Sequence, residues 1–275
     1  MARYFLQGYL CVLFVVSSPA FSLPPSPAGG NFFNATANQP DGLELSWTSA
    51  FGQLTPEMTI ETWIFFSQKP PLGRMVSIVR KKRTRKNFHF YFVNAGKFQP
   101  NDPDLMKVSF AICDRIPGVG GGCGVTQKHL PDFQINQWHH VALTHSQLDG
   151  EIIVYIDGIR ELHAVKRVPI APVYFAPEGV LQIGGGFDGA IDEFRISNKI
   201  LYEGEFKPPR RLHPNKSTLA LWHFDEWQNS APYHDASGKG NTLFNPIWSV
   251  QPLGQWLVTW GNLKQRLSTK STEAR

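Results

Sequence analysis

An all-β fold, a β-sandwich or jelly roll of antiparallel strands, is the fold class that the sequence predicts. Short runs of β-branched and aromatic residues are separated by turns rich in Gly, Pro, Asn and Asp, which is the pattern of consecutive strands. Aromatic residues make up 13% of the 275 residues. Almost no segment repeats apolar residues at the i, i+3, i+4 spacing of an amphipathic helix, so an alternation of strands and helices is disfavoured.

The predicted strands follow one another along most of the chain. They cover residues 59–66, 75–79, 88–93, 108–113, 138–144, 151–156, 159–162, 180–183, 190–196 and 219–224. Asp157-Gly158 separates two apolar runs and predicts a two-residue hairpin turn, because both central residues of such a turn have positive φ. Prolines within 206–216 disfavour helix and central strand alike, so we expect an extended connector there.

The first residues predict export. Residues 1–22 carry one charge, Arg3, followed by an apolar stretch at 9–16 and then by small residues, which is the order of a secretory signal. Cleavage after Ala20 or after Ser22 fits the small-residue rule. The alternative is a membrane anchor, but a spanning helix needs about 20 apolar residues. We therefore expect a secreted or cell-envelope protein with no membrane span after cleavage.

One domain accounts for most of the remaining chain, because no internal repeat divides it. The predicted organisation is a signal peptide at 1–22, a flexible leader at 23–30, a single β-sandwich domain at 31–255 and a polar basic tail at 256–275.

Positive charge is concentrated in one short run. The formal net charge is +5, and loss of Arg3 with the signal would leave 5 − 1 = +4. Residues 80–86 alone hold six cations, and this run lies between two predicted strands. It fits either a solvated hairpin tip that discourages edge pairing or a contact for a polyanionic polysaccharide. Nucleic acid is disfavoured because no aromatic residues are interleaved. The candidate ligand-binding residues are Lys81, Lys82, Arg83, Arg85 and Lys86.

The cysteines predict one disulfide. Of the three cysteines, Cys11 would leave with the signal, so Cys113 and Cys123 remain as a pair. The residues between them, 114–122, are rich in Gly and predict a loop that a bridge would close. A redox pair or a metal site is the alternative, but the Cys-x-x-Cys spacing typical of both is absent.

Several segments resemble a known family when they are taken in order. They read TIETWI at 59–64, WHHVAL at 138–143, VYIDG at 154–158, GAIDEFRIS at 189–197, and LALWHFDE with DASGKGN between 219 and 241. This series resembles the laminin-G-like jelly rolls of the concanavalin-A-like lectin/glucanase superfamily. The resemblance implies a sandwich that binds sugars, sulfated polysaccharides or proteins, while a minority of such proteins hydrolyse glucans. It leaves the ligand open, so function depends on the site.

The motifs of catalysis are missing from the sequence. Glucanases of this superfamily carry their carboxylates as Glu-x-Asp on one strand, and this sequence contains no Glu-x-Asp. The nearest acidic cluster is Asp188, Asp192 and Glu193, a block that the non-catalytic relatives share. We therefore expect a protein that is not an enzyme.

Two further patterns do not predict a site. Residues 184–189 match Gly-x-Gly-x-x-Gly, but a β-like run follows in place of the helix that would receive a phosphate. His139 and His140 are adjacent on a predicted strand, so they point to opposite faces and cannot share a zinc ion.

A calcium site near the late turn is a further expectation. Asp235, Ser237 and Asn241 place oxygen atoms on a Gly-rich turn, and calcium prefers oxygen ligands. The resemblance implies that Asp192 lies close enough to add a carboxylate, so the candidate metal ligands are Asp192, Asp235 and Asn241, with Ca²⁺ as the possible cofactor. The alternative is that Asp235 and Ser237 hydrogen-bond their own turn.

Taken together, the sequence predicts a secreted, non-catalytic recognition module whose partner is an extracellular glycan or a surface protein. Glycan binding is the leading function. A structural or protein-interaction domain at the cell surface is the first alternative, and a degenerate glycoside hydrolase is the second.

Overall fold

A computed structural model describes most of the predicted domain. The described residues are 23–35, 42–46, 51, 57–82, 86–96, 105–116, 120–165, 179–186, 188–226 and 232–244. The predicted signal peptide at 1–22 and the predicted tail at 256–275 lie outside them. Within the described residues, no helix is long and apolar enough to cross a membrane.

Thirteen strands form in the described part of the chain. In order they are β1 (Phe33–Ala35), β2 (Leu43–Ser46), β3 (Glu57–Phe66), β4 (Met75–Lys82), β5 (Lys86–Asn94), β6 (Met106–Ile116), β7 (Gly120–Leu130), β8 (Trp138–Ser146), β9 (Glu151–Ile156), β10 (Ile159–Val165), β11 (Val180–Ile183), β12 (Gly189–Ser197) and β13 (Thr218–Trp222).

The strands build two antiparallel sheets that pack as a sandwich. Sheet A has the order β1-β12-β3-β8-β9-β10, with β13 pairing β12, and sheet B has the order β2-β11-β4-β5-β6-β7. The predicted fold class, an all-β antiparallel jelly roll, is confirmed. Neighbours in the sheets are often far apart in sequence, as β12 and β3 are, which is the mark of a jelly roll rather than of a simple meander.

The core lies between the two sheets and follows the period-two alternation of the strands. On β3, Ile60, Ile64 and Phe66 point inward and are essentially buried. Phe66 meets Phe92 of β5 with ring centroids 5.4 Å apart and an interplanar angle of 73°, which joins sheet A to sheet B. Edge-to-face contacts of this kind contribute beyond the apolar area that they bury.

The glycine-rich segment between the cysteines differs from the sequence prediction. We expected a loop over 114–122, but β6 and β7 continue as one long hairpin in which Ile116 pairs with Gly120. Glycine is depleted in strands, which is why the pattern predicted a loop. The paired neighbour overrides this preference. Strands β1 and β2 were also missed, because three or four residues are too few to show alternation.

The predicted leader packs on the outer face of sheet A. Ser26 is buried and donates a hydrogen bond to Asp192 of β12. The Pro24 carbonyl accepts a hydrogen bond of 3.1 Å from the Trp138 indole, and Phe32 packs edge-on against the same ring. These contacts bury apolar surface that alternation would otherwise leave on the outside of the sheet.

The connector after β12 covers the rest of that outer face, and we call residues 198–217 the strap. As predicted, its residues form neither helix nor strand. The Trp63 indole donates to the Pro209 carbonyl over 3.2 Å. At Gly158 the strap comes so close that an added Cβ would lie 1.7 Å from the Phe206 carbonyl oxygen. Only glycine fits there, for two reasons: a side chain would collide with the strap, and the turn requires a positive φ at this residue.

Candidate functional site

The basic run is not one exposed cluster. Lys81 is only 2% exposed, contrary to the expectation of a solvent-facing cation. A bulge between Ser77 and Val79 shifts the alternation of β4, so that Lys81 lies opposite Leu181 on the core side of sheet B. Such a bulge is not visible in the sequence pattern, and it removes Lys81 from any surface for a polyanion.

Of the other four candidate residues in the basic run, the structure describes only Lys82 in full. Lys82 is half-buried and forms an ion pair with Glu44 of β2. Arg83 and Arg85 lie outside the described residues, and so does the side chain of Lys86, whose backbone pairs with Asp114. A polyanion contact by these last three cations stays a prediction.

The two cysteines lie directly opposite each other on neighbouring strands. Cys113 of β6 and Cys123 of β7 are register partners. Opposite residues of an antiparallel pair have Cα atoms about 4.5–5.5 Å apart, and a disulfide requires about 4.4–6.8 Å. The backbone is therefore compatible with the predicted bridge. The bridge itself stays a prediction, because the Cys123 side chain lies outside the described residues.

A buried polar network fills the space between sheet A and the strap. Glu61 of β3 is fully buried and pairs with Arg195 of β12 at 2.6 Å. It also accepts a 2.6 Å hydrogen bond from the Tyr202 hydroxyl of the strap and lies 3.2 Å from His140. Burial alone would raise the pKa of Glu61, but the hydrogen bond of His140 and the charge of Arg195 hold it below its ordinary value. This carboxylate holds the strap onto the sheet.

The acidic block on β12 has a similar structural role. Asp192 accepts hydrogen bonds from the Ser26 hydroxyl and, over 2.8 Å, from the Glu193 amide. Burial raises the pKa of Asp192 to about 8. Glu193 accepts a 2.6 Å hydrogen bond from the Leu212 amide and lies 2.7 Å from a His223 ring nitrogen. Both carboxyl groups are fully buried, so neither faces an open cleft.

The predicted calcium ligands belong to separate hydrogen-bond networks. Both Asp235 oxygens serve their own turn and the end of β13, accepting from the amides of Leu221, Ser237 and Asn241 and from the Asn241 side chain, over 2.9–3.0 Å. Asp192 instead bonds the leader. The described residues contain no group of three or more His, Cys, Asp or Glu side chains that could hold a metal. This geometry matches the alternative of a self-bonded turn.

A cavity of about 330 Å³ lies where one edge of sheet A meets one edge of sheet B, and we call it the edge cavity. A salt bridge of 3.6 Å between Lys128 of β7 and Glu161 of β10 connects the two edge strands beside it. Its buried lining residues are Leu130, Phe133, His139 and Ile156, and its half-buried or exposed ones are Lys128, Pro131, Asp132, Asp157, Ile159 and Glu161. The interior is thus mainly apolar, and the polar groups lie at the rim.

Hydrogen bonds fix the polar groups of the edge cavity. One ring nitrogen of His139 lies 2.6 Å from the Asp157 carboxylate, and the other lies 2.8 Å from the Gln134 carbonyl. The His139 ring also packs on Phe133 with a centroid distance of 4.4 Å. Asp157 accepts a second hydrogen bond, over 2.8 Å, from the His140 amide. Asp157 therefore presents a preorganised carboxylate, 44% exposed, in the hairpin turn.

The edge cavity was not predicted from the sequence. Its residues come from β7, the following loop, β8 and the β9–β10 hairpin. The segments 138–143 and 154–158 were recognised for the fold that they imply, and none of the cavity's segments was predicted as part of a site. Two predictions from the sequence concerned residues of the cavity, although neither predicted a site. The Asp157-Gly158 turn was predicted as a hairpin, and His139 was predicted on the opposite face from His140. Both predictions are confirmed, since His140 meets Glu61 outside sheet A and His139 meets Phe133 inside it.

Comparison with solved structures gives low sequence identities. A putative carbohydrate binding protein from Bacteroides ovatus is 17% identical, with a TM-score of 0.45, over 73% of this chain and 54% of that one. This chain thus spans about half the length of that protein. The CBM40 module of the Ruminococcus gnavus IT-sialidase is 11% identical, with a TM-score of 0.42, over 59% of this chain and 90% of the module.

Comparison of the sequence with protein-family models identifies the family. Among curated proteins, no significant match to this chain is found. The laminin-G model described as concanavalin A-like lectin/glucanases superfamily matches residues 39–206, which is more than half of the chain. The resemblance seen in the sequence is thereby confirmed, and the chain belongs to the concanavalin A-like lectin/glucanases superfamily.

Proposed function

We propose that this protein is an exported, non-catalytic recognition module that binds a glycan in the edge cavity. The observation that carries the proposal is the cavity itself, which combines a buried apolar interior with carboxylates and an ammonium group at its rim. Binding sites for small ligands commonly have this construction. A sugar ring offers apolar C–H faces to the interior and hydroxyl groups to the rim, so both parts of the lining have a counterpart.

The outer face of sheet A is unsuited to the same task. The strap and the leader cover its aromatic and polar residues, with Tyr202 and Pro209 bonded to Glu61 and Trp63. A ligand there would have to displace these bonds. At the edge cavity, Ile159 is 55% exposed and the side chain of Lys128 is 49% exposed, so a ligand can reach the lining without moving the chain.

A glycan array with a blocking variant tests the proposal. Ile159→Trp adds bulk to the cavity wall, while Val165→Trp adds comparable bulk at a similarly exposed site on the same strand, outside the lining. We expect the unmodified protein and V165W to share one set of bound glycans, and I159W to lose it. Absence of binding to every glycan would contradict the proposal and favour a protein-docking or structural role.

The non-catalytic part of the proposal rests on the acidic block of β12. Glycoside hydrolysis needs two carboxyl groups that face each other across the scissile bond. Asp192 and Glu193 are fully buried and bonded to the leader and the strap. The sequence also contains no Glu-x-Asp, and the cavity carboxylates Asp157 and Glu161 are paired with His139 and Lys128. We expect bound glycans and β-glucan to release no reducing sugar on prolonged incubation. Release that is lost on substitution of a carboxylate would show a hydrolase.

Export is supported by the sequence of residues 1–22 and by the position of the leader. Since Leu23 is half-buried against sheet A, cleavage after Ala20 or Ser22 leaves the packed residues in the mature chain. Secreted material should begin at Phe21 or Leu23 on N-terminal sequencing. It should also contain no alkylatable thiol, because Cys113 and Cys123 would be oxidised outside the cytoplasm. Two free thiols would contradict the bridge.

A polyanionic polysaccharide is a second partner class that we propose for the basic run. Arg83, Arg85 and Lys86 are the members of the run to test, since Lys81 is buried and Lys82 is paired. Neutral substitutions at these three positions should abolish retention on heparin resin. Unchanged retention at equal salt would assign this run to a solvated hairpin tip.

A further inference from the structure

The charges at the rim of the edge cavity bear on which glycans it can accept. Its described lining contains three carboxylates, Asp132, Asp157 and Glu161, and one ammonium group, Lys128. The net formal charge is 1 − 3 = −2, and it would still be −1 with a proton on both nitrogens of His139. The apolar interior and the cavity volume define the site, and these charges define what can enter it.

The lining offers few hydrogen-bond donors to an anion. Both nitrogens of His139 face oxygen atoms of Asp157 and Gln134. The Lys128 ammonium is the remaining charged donor, and its charge is offset by the Glu161 carboxylate 3.6 Å away. An incoming carboxylate or sulfate group would therefore find few donors and would have to approach three like charges.

The acceptors, by contrast, have capacity left. Asp132 is exposed, and the described residues show no hydrogen bond or ion pair to its carboxylate. Asp157 uses one lone pair on each oxygen, for His139 and for the His140 amide, and each ionised carboxylate oxygen accepts about two hydrogen bonds. Hydroxyl groups of a neutral sugar supply the donors that these acceptors lack.

Resting on the proposed glycan-binding function, we propose that the edge cavity selects neutral, hydroxyl-rich glycans and excludes anionic ones that carry sialic acid, uronic acid or sulfate. The glycan's hydroxyl groups donate to Asp132 and Asp157, and Glu161 adds to the repulsion of anions. The cavity and the basic run thus have opposite charge preferences, and a polyanion bound by the hairpin would not occupy the cavity.

An array of matched glycans tests this selectivity. Each neutral glycan, such as lactose, is printed beside its sialylated derivative, such as α2,3-sialyllactose, and beside its sulfated derivative. We expect the neutral form to bind about tenfold or more tightly than its anionic partners at low salt, and the ratio to shrink as added salt screens the rim charges.

Charge-neutral variants localise the effect. Asp132→Asn together with Glu161→Gln should reduce the ratio to about threefold or less, because most of the exposed negative charge is removed. Glu57→Gln is the matched control. Glu57 pairs with exposed Lys199 at 3.1 Å, much as Glu161 pairs with Lys128. It lies away from the cavity, because His139 pairs with Ile64 near one end of β3 and Glu57 is at the other end. E57Q should leave the ratio unchanged.

Each contrary outcome overturns a different statement. Preferred binding of the sialylated or sulfated forms that persists when Arg83, Arg85 and Lys86 are neutralised would overturn the charge selectivity while leaving glycan binding in place. A ratio that the double variant does not change would show that the rim does not set it, which also overturns the selectivity. Binding to no glycan at all would overturn the proposed function, and the selectivity with it.

Discussion

Carboxylates occur in two regions of this sandwich under opposite conditions. Between sheet A and the strap, Glu61, Asp192 and Glu193 are fully buried, and each is bonded to residues that hold the strap or the leader in place. Around the edge cavity, the carboxylates of Asp157 and Glu161 are 44% and 31% exposed. The buried carboxyl groups are closed off from solvent by the strap and the leader, whereas the cavity carboxylates are open to solvent and to a ligand.

The difference shows how the same residue type takes up two roles. A buried carboxyl group is tolerated when it keeps its proton, as Asp192 does up to about pH 8, or when partners surround its charge. Such a group can do little besides holding the fold. An exposed carboxylate contributes little to stability and can exchange water for a ligand. The acidic block that the sequence made prominent therefore belongs to the structural group, and the less conspicuous rim residues form the candidate site.

The largest effect on stability should come from Glu61. Glu61→Gln leaves Arg195 buried without its counter-ion and should lower the free energy of unfolding by about 3–5 kcal/mol, since loss of one partner strands a buried charge. Glu57→Gln, on the same strand but in an exposed pair with Lys199, should cost about 0–1 kcal/mol. Urea titrations measure both. Equal losses would contradict the division into two groups.

Asp235 should follow, because it anchors the late turn. Asp235→Ala removes four hydrogen bonds and leaves the Leu221 amide without its acceptor, which should cost about 2–4 kcal/mol. Asp149→Ala is the control, since Asp149 accepts a single side-chain hydrogen bond, from Ser146. We expect millimolar calcium and chelator to give the same Tm for the parent protein. A calcium-dependent rise that D235A abolishes would instead establish the metal site.

Asp192 should make stability depend on pH in a defined window. Because the folded state keeps this proton up to about pH 8 while the unfolded chain releases it near pH 4, stability falls as pH rises between these values. Burial lowers the pKa of His89 and His145 to about 4, which opposes the trend below about pH 6.5. Between pH 6.5 and 8, the parent should lose about 1–2 kcal/mol.

Asp192→Asn tests that window, because an amide keeps the shape of the side chain and does not titrate. Chemical denaturation at several pH values should show a smaller decline for D192N than for the parent above pH 6.5. A decline of the same size in both proteins would place the titrating group elsewhere.

The smallest effect on stability should come from the cavity rim. Asp132→Asn and Glu161→Gln should each change the free energy of unfolding by no more than about 0.5 kcal/mol, since exposed carboxylates contribute little. Thermal melts of both variants against the parent are sufficient. A loss as large as that of E61Q would show that the rim carboxylates hold the fold together and are not available to a ligand.

Alternation and turn chemistry made the fold predictable from the sequence. The bounds of β11 agree with the predicted range of 180–183, and the Asp157-Gly158 hairpin forms with positive φ at both residues. β7 was missed because its first half is glycine-rich, and Lys81 was misplaced because a bulge in β4 reverses the alternation. The formation of β7 and the bulge in β4 both depend on pairing with neighbouring strands, and the residue pattern of a single strand carries no information about that pairing.

The candidate site was less predictable for a related reason. Lys128, Asp132, Asp157 and Glu161 are ordinary charged residues in their own segments, and only the meeting of two sheet edges brings them together. The cations of residues 80–86 were conspicuous because they are adjacent in sequence. Adjacency in sequence and convergence in space are different signals, and here the second defines the cavity.

The most direct test of glycan binding in the edge cavity is to locate the ligand by NMR. Backbone amide shifts of labelled protein would be followed during titration with the neutral glycan that gives the strongest array signal. We predict that the largest perturbations fall in residues 128–133 and 156–161 and at His139, with little change along the strap. Perturbations centred on the β4–β5 hairpin or spread over the outer face of sheet B would contradict the assignment of the cavity.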